Sequence, residues 1–127
     1  EIYTLSLHDA LPISDVVLPD DKELLRGKCI IAIGSYMPEM REIPDAVLDL
    51  VDNVYIELPY ACEESGDLSQ PLASGKLTKD RVKLMHEYLV SGEKEIKEGQ
   101  TTYFKSVGMG LFDVCIAQKL YEVAKEK

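Results

Sequence analysis

Apolar runs of two kinds alternate along the chain from residue 15 onward, and they predict alternating strands and helices. Residues 15–28 hold the stub of a strand and a short helix that Gly27 ends. Residues 29–35, "CIIAIGS", form a continuous Ile-rich run, which is typical of a strand covered on both faces in a parallel sheet. Residues 43–51, "IPDAVLDLV", predict a helix, and residues 53–58, "NVYIEL", predict a second strand. This strand, helix and strand form the βαβ unit of a doubly wound sheet.

The second half of the chain has a more helical pattern. In residues 77–92 the apolar side chains of Val82, Met85 and Leu89 recur on one helical face, and Gly92 ends the predicted helix. Residues 101–106, "TTYFKS", have the composition of a strand, and the long segment that follows has the pattern of an amphipathic helix. Its expected inward positions are Leu111, Val114, Cys115, Leu120 and Val123. The predicted fold class is α/β.

Composition narrows the class of protein. The 127 residues, 46% of them hydrophobic, suffice for one compact domain or for a piece of a larger protein. A net charge of −9 with scattered bases argues against a nucleic-acid surface. No window approaches the roughly 18 apolar residues of a membrane span. The three cysteines have the spacing of neither a disulfide framework nor a zinc site, so we expect no metal and a cytoplasmic setting.

Several short motifs suggest chemistry that their context does not support. "HEYLV" begins like a metalloprotease motif, but Val90 replaces the second histidine, so His86 is interpreted as a surface residue. "GMGLFD" begins like a dinucleotide fingerprint but ends in Asp113. Gly108 and Gly110 are better explained as small residues at a helix start, where backbone N–H groups could meet an anionic ligand.

Two further segments are candidates by position or charge. Residues 62–68, "CEESGDL", form an acidic cluster that is more often a solvated turn or helix end than a binding site. Residues 34–42, "GSYMPEMRE", follow the Ile-rich strand at its carboxyl end, where open α/β sheets bind ligands. A ligand site and an ordinary loop are equally compatible with that position.

The first residues have a different origin from the rest in our interpretation. All of residues 3–13, "YTLSLHDALPI", agree with the in-frame translation of a widely used sequencing adapter. We therefore interpret residues 1–14 as a non-native, adapter-derived segment and exclude His8 and Asp9 from the catalytic candidates.

Three segments, in order, carry a family resemblance. They are "AIGSYMPEMRE", "ESGDL" and "FKSVGMGLFDV". Together they resemble the ornithine cyclodeaminase and mu-crystallin family, whose members show a strand ending in Gly, a Pro-x-x-x-Glu step, an E-S-G-D turn and a K-S-x-G helix start. The match runs from about residue 15 to residue 127 and is specific through the order and spacing of its motifs.

The resemblance implies the architecture of the intact protein. Family members are homodimers with a Rossmann domain for NAD or NADP and a second domain that binds substrate. Residues 15–100 would then be a partial Rossmann domain, its C-terminal half. Residues 101–127 would be a strand and long helix leading back toward the substrate and dimerisation domain. The G-x-G-x-x-G loop and the substrate domain would lie before residue 15. We therefore expect an inactive fragment of the parent enzyme, unable to bind dinucleotide usefully.

Individual site residues can be carried over from the family motifs. Ile33, Gly34 and Ser35 correspond to positions along the nicotinamide side of the cofactor. Ser106 corresponds to a cofactor-contacting serine, and Glu64 to a residue at the substrate or hormone pocket.

Tyr36 is the departure from the family pattern. Ornithine cyclodeaminases carry at this position an Asp thought to act on the substrate amine and the attacking water. A tyrosine phenol is neutral near pH 7 and does not replace a carboxylate base, so the catalytic residue stays unassigned. The sequence therefore favours hydride transfer at the α-carbon of an amino or imino acid, by a ketimine reductase or amino-acid dehydrogenase. A cyclodeaminase (a lyase) and a non-catalytic binding protein of the mu-crystallin type remain the alternatives.

Overall fold

The computed structural model describes residues 16–92 and 96–125. The adapter-like segment 1–14 lies outside the described residues. Within them, four parallel strands form one sheet in the order β1-β4-β2-β3. The strands are β1 (Cys29–Ala32), β2 (Val54–Ile56), β3 (Val82–Leu84) and β4 (Thr102–Lys105). The helices are α1 (Lys22–Leu25), α2 (Asp45–Leu50), α3 (Ala61–Glu64), α4 (Gly66–Ser74), α5 (Met85–Ser91) and α6 (Gly110–Lys125). The parallel sheet with intervening helices confirms the predicted α/β class.

The core lies on one face of this sheet. Every residue of β2 is buried, as expected for a central strand of a parallel sheet. Strand β4 alternates, and Tyr103 and Lys105 both point to the buried face. The apolar residues at the centre of the core are Val47, Leu48, Val54, Ile56, Leu68, Leu77 and Tyr103. Helices α2 and α4 therefore pack onto the same face as the buried side chains of β4.

The expectation that the Ile-rich strand is covered on both faces is wrong in this structure. Ile30 and Ala32 are buried, whereas Ile31 is 64% exposed and Ile33, just after the strand, is 70% exposed. Strand β1 also forms one edge of the sheet. The hydrophobic run is continuous because both faces of β1 are apolar, but the described elements cover only one of them.

The single helix predicted over residues 77–92 is also wrong in its first half. A 3-10 turn (Lys79–Arg81) leads into β3, and α5 begins only at Met85. Residues of β3 pair in register with β2. Their backbone N–H and C=O groups therefore bond to a neighbouring strand instead of to residues of the same helix. Gly92 ends α5 in the left-handed conformation as predicted, with φ of 68°.

The long carboxyl-terminal helix is confirmed, but its expected inward face is not. None of the described residues of α6 is buried, and the predicted inward positions are all exposed. The apolar stripe is present in the sequence, yet no element of the described chain packs against it. None of the helices in residues 16–92 and 96–125 is both long and apolar enough to cross a membrane.

Candidate functional site

The carboxyl ends of β1, β4 and β2 meet at one edge of the sheet. Gly34 and Ser35 lie just after β1, Ser106 follows β4, and Glu57 follows β2. The Ser106 N–H donates to the carbonyl of Ala32 at 3.0 Å, which places Ser106 beside the end of β1. The parallel topology therefore brings the predicted cofactor residues to the edge where doubly wound sheets bind ligands.

A buried ion cluster lies directly beneath this edge, and we call Glu42, Asp67 and Lys105 the Lys105 cluster. Lys105 Nζ lies 3.4 Å from Glu42 Oε2. It lies 3.1 Å from Asp67 Oδ2, as an ion pair without hydrogen-bond geometry. The side chains of Lys105 and Asp67 are 0% exposed and that of Glu42 is 10% exposed. Buried charges need partners, so these three residues hold strand β4, the loop before α2 and the start of α4 together.

The cluster has two carboxylates and one ammonium group, and backbone N–H groups donate hydrogen bonds to both carboxylates. Glu42 Oε2 accepts from the N–H of Gly34 at 2.7 Å and from that of Ser35 at 3.1 Å. Asp67 Oδ1 accepts from the N–H of Glu42 at 2.7 Å and from that of Ile43 at 3.0 Å. Gly34 and Ser35 thus have their backbone fixed by a carboxylate that is itself paired.

Residues 65–67 of the E-S-G-D turn are buried, contrary to the expectation of a solvated turn, whereas Glu63 is exposed and Glu64 is half-buried at the end of α3. Ser65 and Asp67 are fully or almost fully buried. Ser35 Oγ donates to the Met40 carbonyl at 2.6 Å and lies 2.8 Å from Ser65 Oγ. A Cβ on Gly66 would overlap the carbonyl oxygens of Met40 and Pro38. The turn therefore packs against the loop after β1, and only glycine fits at that contact.

A third carboxylate, that of Glu57, binds the segment just before α6. Glu57 Oε1 accepts from Ser106 Oγ at 2.8 Å, from Val107 N–H at 2.6 Å and from Gly108 N–H at 3.0 Å. Gly108 has φ of 86°, a conformation that favours glycine. The sequence predicted that backbone N–H groups here would meet an anionic ligand. In the structure, the Val107 and Gly108 groups bind an anion supplied by the chain itself.

The remaining predicted residues lie around this edge with different accessibility. Ile33 is exposed, and Tyr36 is 44% exposed in the following loop. Glu64 is half-buried at the end of α3. Their contacts with cofactor and substrate stay predictions. Lys105, Glu57 and Asp67 are not among the site residues predicted from the sequence, although Lys105 and Asp67 lie inside the family motifs.

A cavity of about 570 Å³ opens elsewhere, between β2, β3 and α4. Its lining includes Ile56, Leu72, Val82 and Cys62. Burial raises the pKa of the Cys62 thiol, with a smaller opposing effect of Lys79. A protonated thiol is a poor nucleophile, so Cys62 is not a catalytic candidate. Within the described ranges, no group of three or more His, Cys, Asp or Glu side chains is placed to hold a metal ion.

The parallel sheet and the residues at the carboxyl ends of its strands together define an α/β domain of the doubly wound type, with its candidate site at that edge of the sheet. Residues 15–127 match the ornithine cyclodeaminase/mu-crystallin family, and the chain belongs to that family. The resemblance carried by the three motifs is thereby confirmed.

Individual relatives add detail. The chain is 31% identical to a Δ1-pyrroline-2-carboxylate reductase of Bacillus cereus over 137 aligned residues, covering 99% of this chain and 42% of the relative. A probable ornithine cyclodeaminase from Bordetella pertussis superposes with a TM-score of 0.75 at 26% identity, over 91% of this chain and 38% of that one. The Thermococcus litoralis Δ1-pyrroline-2-carboxylate reductase, solved with NADH and L-proline, shares the fold with a TM-score of 0.66 at 23% identity, over 80% of this chain and 32% of that one. The chain thus spans less than half the length of these relatives.

Proposed function

We propose that this chain forms the carboxyl-terminal part of the dinucleotide-binding domain of an NAD(P)-dependent reductase of cyclic imino acids. Family membership and the Bacillus cereus relative support this class of substrate. The Thermococcus litoralis neighbour was solved with NADH, which supports the class of cofactor. A bound NADH or NADPH would supply the hydride that adds to the imine carbon, while the ring nitrogen gains a proton.

The residues at the sheet edge fit such a cofactor. Ile33 offers an exposed apolar side chain just after β1, and the backbone N–H of Ser106 bonds to the carbonyl of Ala32, the residue before Ile33. The backbone on either side of this surface is fixed, because Glu42 binds the Gly34 N–H and Glu57 binds the Ser106 hydroxyl. A rigid edge with one apolar and one hydroxyl group suits a planar, amide-bearing ring. These residues would bind and orient the cofactor rather than exchange protons with the substrate.

Tyr36 is the observation that favours a reductase over a cyclodeaminase. Its side chain is accessible at the edge, at the position where cyclodeaminases carry an Asp. The carboxylate of Glu42, in the same loop, is buried and committed to Lys105 and to backbone N–H groups. Reduction of an imine requires no carboxylate at position 36, whereas the cyclising deamination is thought to depend on it.

A graft onto a characterised relative tests the proposal. Residues 15–127 replace the matching segment of the Bacillus cereus reductase, and the graft is supplied with Δ1-pyrroline-2-carboxylate and NADH or NADPH. We expect NAD(P)H absorbance to fall as proline forms, with no proline or ammonia from ornithine and NAD⁺. Faster proline formation from ornithine would contradict the reductase assignment. Flat NAD(P)H absorbance with a panel of cyclic ketimines would favour a binding protein of the mu-crystallin type.

A substitution at position 36 of the same graft tests whether Tyr36 lies on the substrate side of the site. Tyr36→Asp introduces the carboxylate of cyclodeaminases, and Tyr60→Asp makes the same change at another exposed tyrosine. We expect Tyr36→Asp to lower imine reduction at least tenfold and Tyr60→Asp to leave it within twofold. Equal effects of the two variants would remove Tyr36 from the substrate side of the site.

The chain alone should not bind dinucleotide. The apolar side chains of β1 and α6 that remain exposed, Ile31 and Leu120 among them, are surfaces that a larger protein would cover. Fluorescence titration of the 127-residue chain with NADH is expected to show no saturation in the micromolar range. The homodimer implied by the family resemblance and the cytoplasmic setting expected from the cysteines stay predictions.

A further inference from the structure

Glu57 has an environment that its sequence position does not reveal. It follows β2 directly and is only 6% exposed. Its Oε1 atom accepts three hydrogen bonds, from the Ser106 hydroxyl and from the N–H groups of Val107 and Gly108, at distances of 2.6 to 3.0 Å. Consecutive backbone N–H groups that converge on one point form an anion-binding nest. We call the N–H groups of Val107 and Gly108 with the Ser106 hydroxyl the Ser106 nest.

The bonding of Ser106 limits what its hydroxyl can do. Because its single proton is donated to Glu57, the Ser106 oxygen can act toward other groups only as an acceptor, and one of its two lone pairs accepts from the Gly108 N–H at 3.1 Å. The other carboxylate oxygen, Glu57 Oε2, is buried and has no hydrogen-bond partner among residues 16–92 and 96–125. The Ser106 hydroxyl oxygen can therefore meet a ligand only as an acceptor, and the nearby Glu57 supplies no donor to it.

We propose that Glu57 is a positioning residue of this edge, an internal anion that fills the Ser106 nest. It excludes phosphate and carboxylate groups from the start of α6 and holds the Ser106 hydroxyl as an acceptor. A ligand group that binds at Ser106 must then bring an N–H or O–H donor. The ligand-facing part of this statement rests on the proposed function, whereas the filling of the nest does not.

Chemical rescue in the 127-residue chain tests the filling of the nest. Glu57→Ala removes the carboxylate and leaves the N–H groups of Val107 and Gly108 without their acceptor. We expect these two amide proton resonances to move upfield in the variant, because strong hydrogen bonds to a carboxylate shift them downfield. Sodium formate should return them saturably toward their original positions, and sodium chloride at equal ionic strength should not. In the unaltered chain, formate should leave both resonances in place.

Matched variants separate a specific site from general salt effects. Glu63→Ala removes an exposed acid from nearby α3 and should leave both resonances unchanged with or without formate. Glu57→Gln keeps an oxygen acceptor and fills the space, so we expect a smaller upfield shift and no response to formate. If Glu57→Ala does not fold, formate should raise its folded fraction measured by circular dichroism, while chloride should not. A formate effect no larger than that of chloride, or an equal effect on Glu63→Ala, would overturn the proposal.

The same substitution in the grafted reductase tests the link to function. We expect Glu57→Ala to raise the KM for NADH at least tenfold and to change kcat less, with partial rescue by formate. If the graft is inactive even without the substitution, while the Val107 and Gly108 resonances of Glu57→Ala respond to formate, the proposed function is contradicted and the role of Glu57 is upheld. An active graft whose KM is unaffected by Glu57→Ala would contradict the ligand-facing role alone.

Discussion

Replacement of Lys105 by methionine should destabilise the chain more than any change to a surface lysine. Methionine has a similar length and shape, so the substitution removes the ammonium charge without a large cavity. It leaves the carboxylates of Glu42 and Asp67 buried beside each other with no cation between them.

The size of the loss follows from the geometry of the Lys105 cluster. With an effective dielectric constant of about 20, unit charges 3.1 Å apart attract each other by about 5 kcal/mol. The variant also avoids the cost of desolvating the ammonium, which offsets part of that attraction. Breaking a buried pair on one side typically costs about 3–5 kcal/mol, and we expect a loss in this range. Because a domain of this size is stable by only about 5–15 kcal/mol, such a loss should be obvious.

Urea unfolding at pH 7, followed by far-UV circular dichroism, measures this loss. Lys119→Met is the matched control, because Lys119 is exposed and its Nζ lies 3.9 Å from Glu122 Oε2. This control substitution should lower the free energy of unfolding by less than about 0.5 kcal/mol. In a double-mutant cycle with Asp67→Asn we expect a coupling energy of about 1–3 kcal/mol. If Lys105→Met is unfolded in water, Lys105→Arg should restore folding by restoring the charge. A loss below about 1 kcal/mol, or no coupling with Asp67, would refute the reasoning.

Three further predictions concern stability. Gly66→Ala should cost more than about 2 kcal/mol in urea unfolding, since the new Cβ overlaps two carbonyl oxygens, whereas Gly110→Ala meets no atom and should be nearly neutral. Arg81→Lys should cost about 1–3 kcal/mol because the guanidinium donates to three carbonyls at the end of α2, and Arg26→Lys at an exposed pair should cost little. Burial, with the nearby carboxylates of Asp67 and Glu42, raises the pKa of the Tyr103 phenol well above 10.0. Its contribution to stability is therefore complete below about pH 10 and is lost as the pH rises through the folded-state pKa. Absorbance titration should show Tyr103 ionising only on unfolding, and Tyr103→Phe should abolish that component.

The elements that could be predicted are those whose signal is local. Helix α2 and strands β2 and β4 are bounded by turn residues and have the composition of their class, so neighbouring residues suffice. Strand β3 could not be predicted, because Val82, Met85 and Leu89 satisfy a helical repeat as well as they satisfy a strand followed by a helix. Pairing with β2, nearly 30 residues earlier, decides between them. That information is tertiary.

The position of the candidate site at the sheet edge could be proposed from the sequence, but the buried groups beneath that edge could not. Ligands bind at the carboxyl ends of parallel strands, and the family motifs assign Gly34 and Ser106 to that edge; their contacts with a ligand stay predictions. Lys105, Glu42 and Asp67 are residue types that are normally exposed, and nothing local to any of them indicates burial. Their pairing joins positions 25 to 63 residues apart. Only the packed structure shows that these charges are paired with each other and hydrogen-bonded to backbone N–H groups.

The two acids Glu42 and Glu57 perform the same task at neighbouring strands. Glu42 fixes the backbone after β1, and Glu57 fixes the backbone and hydroxyl after β4. Each carboxylate binds at or next to a residue expected to face the ligand: Glu42 binds the backbone of Gly34 and Ser35, which follow Ile33, and Glu57 binds the hydroxyl of Ser106. Glycines at these turns would otherwise leave the edge flexible, because Gly34 and Gly108 restrict the backbone least. The two carboxylates therefore hold the backbone in place at positions where glycine would allow it to move. Replacement of either acid should displace a bound ligand even though the acid itself does not contact that ligand.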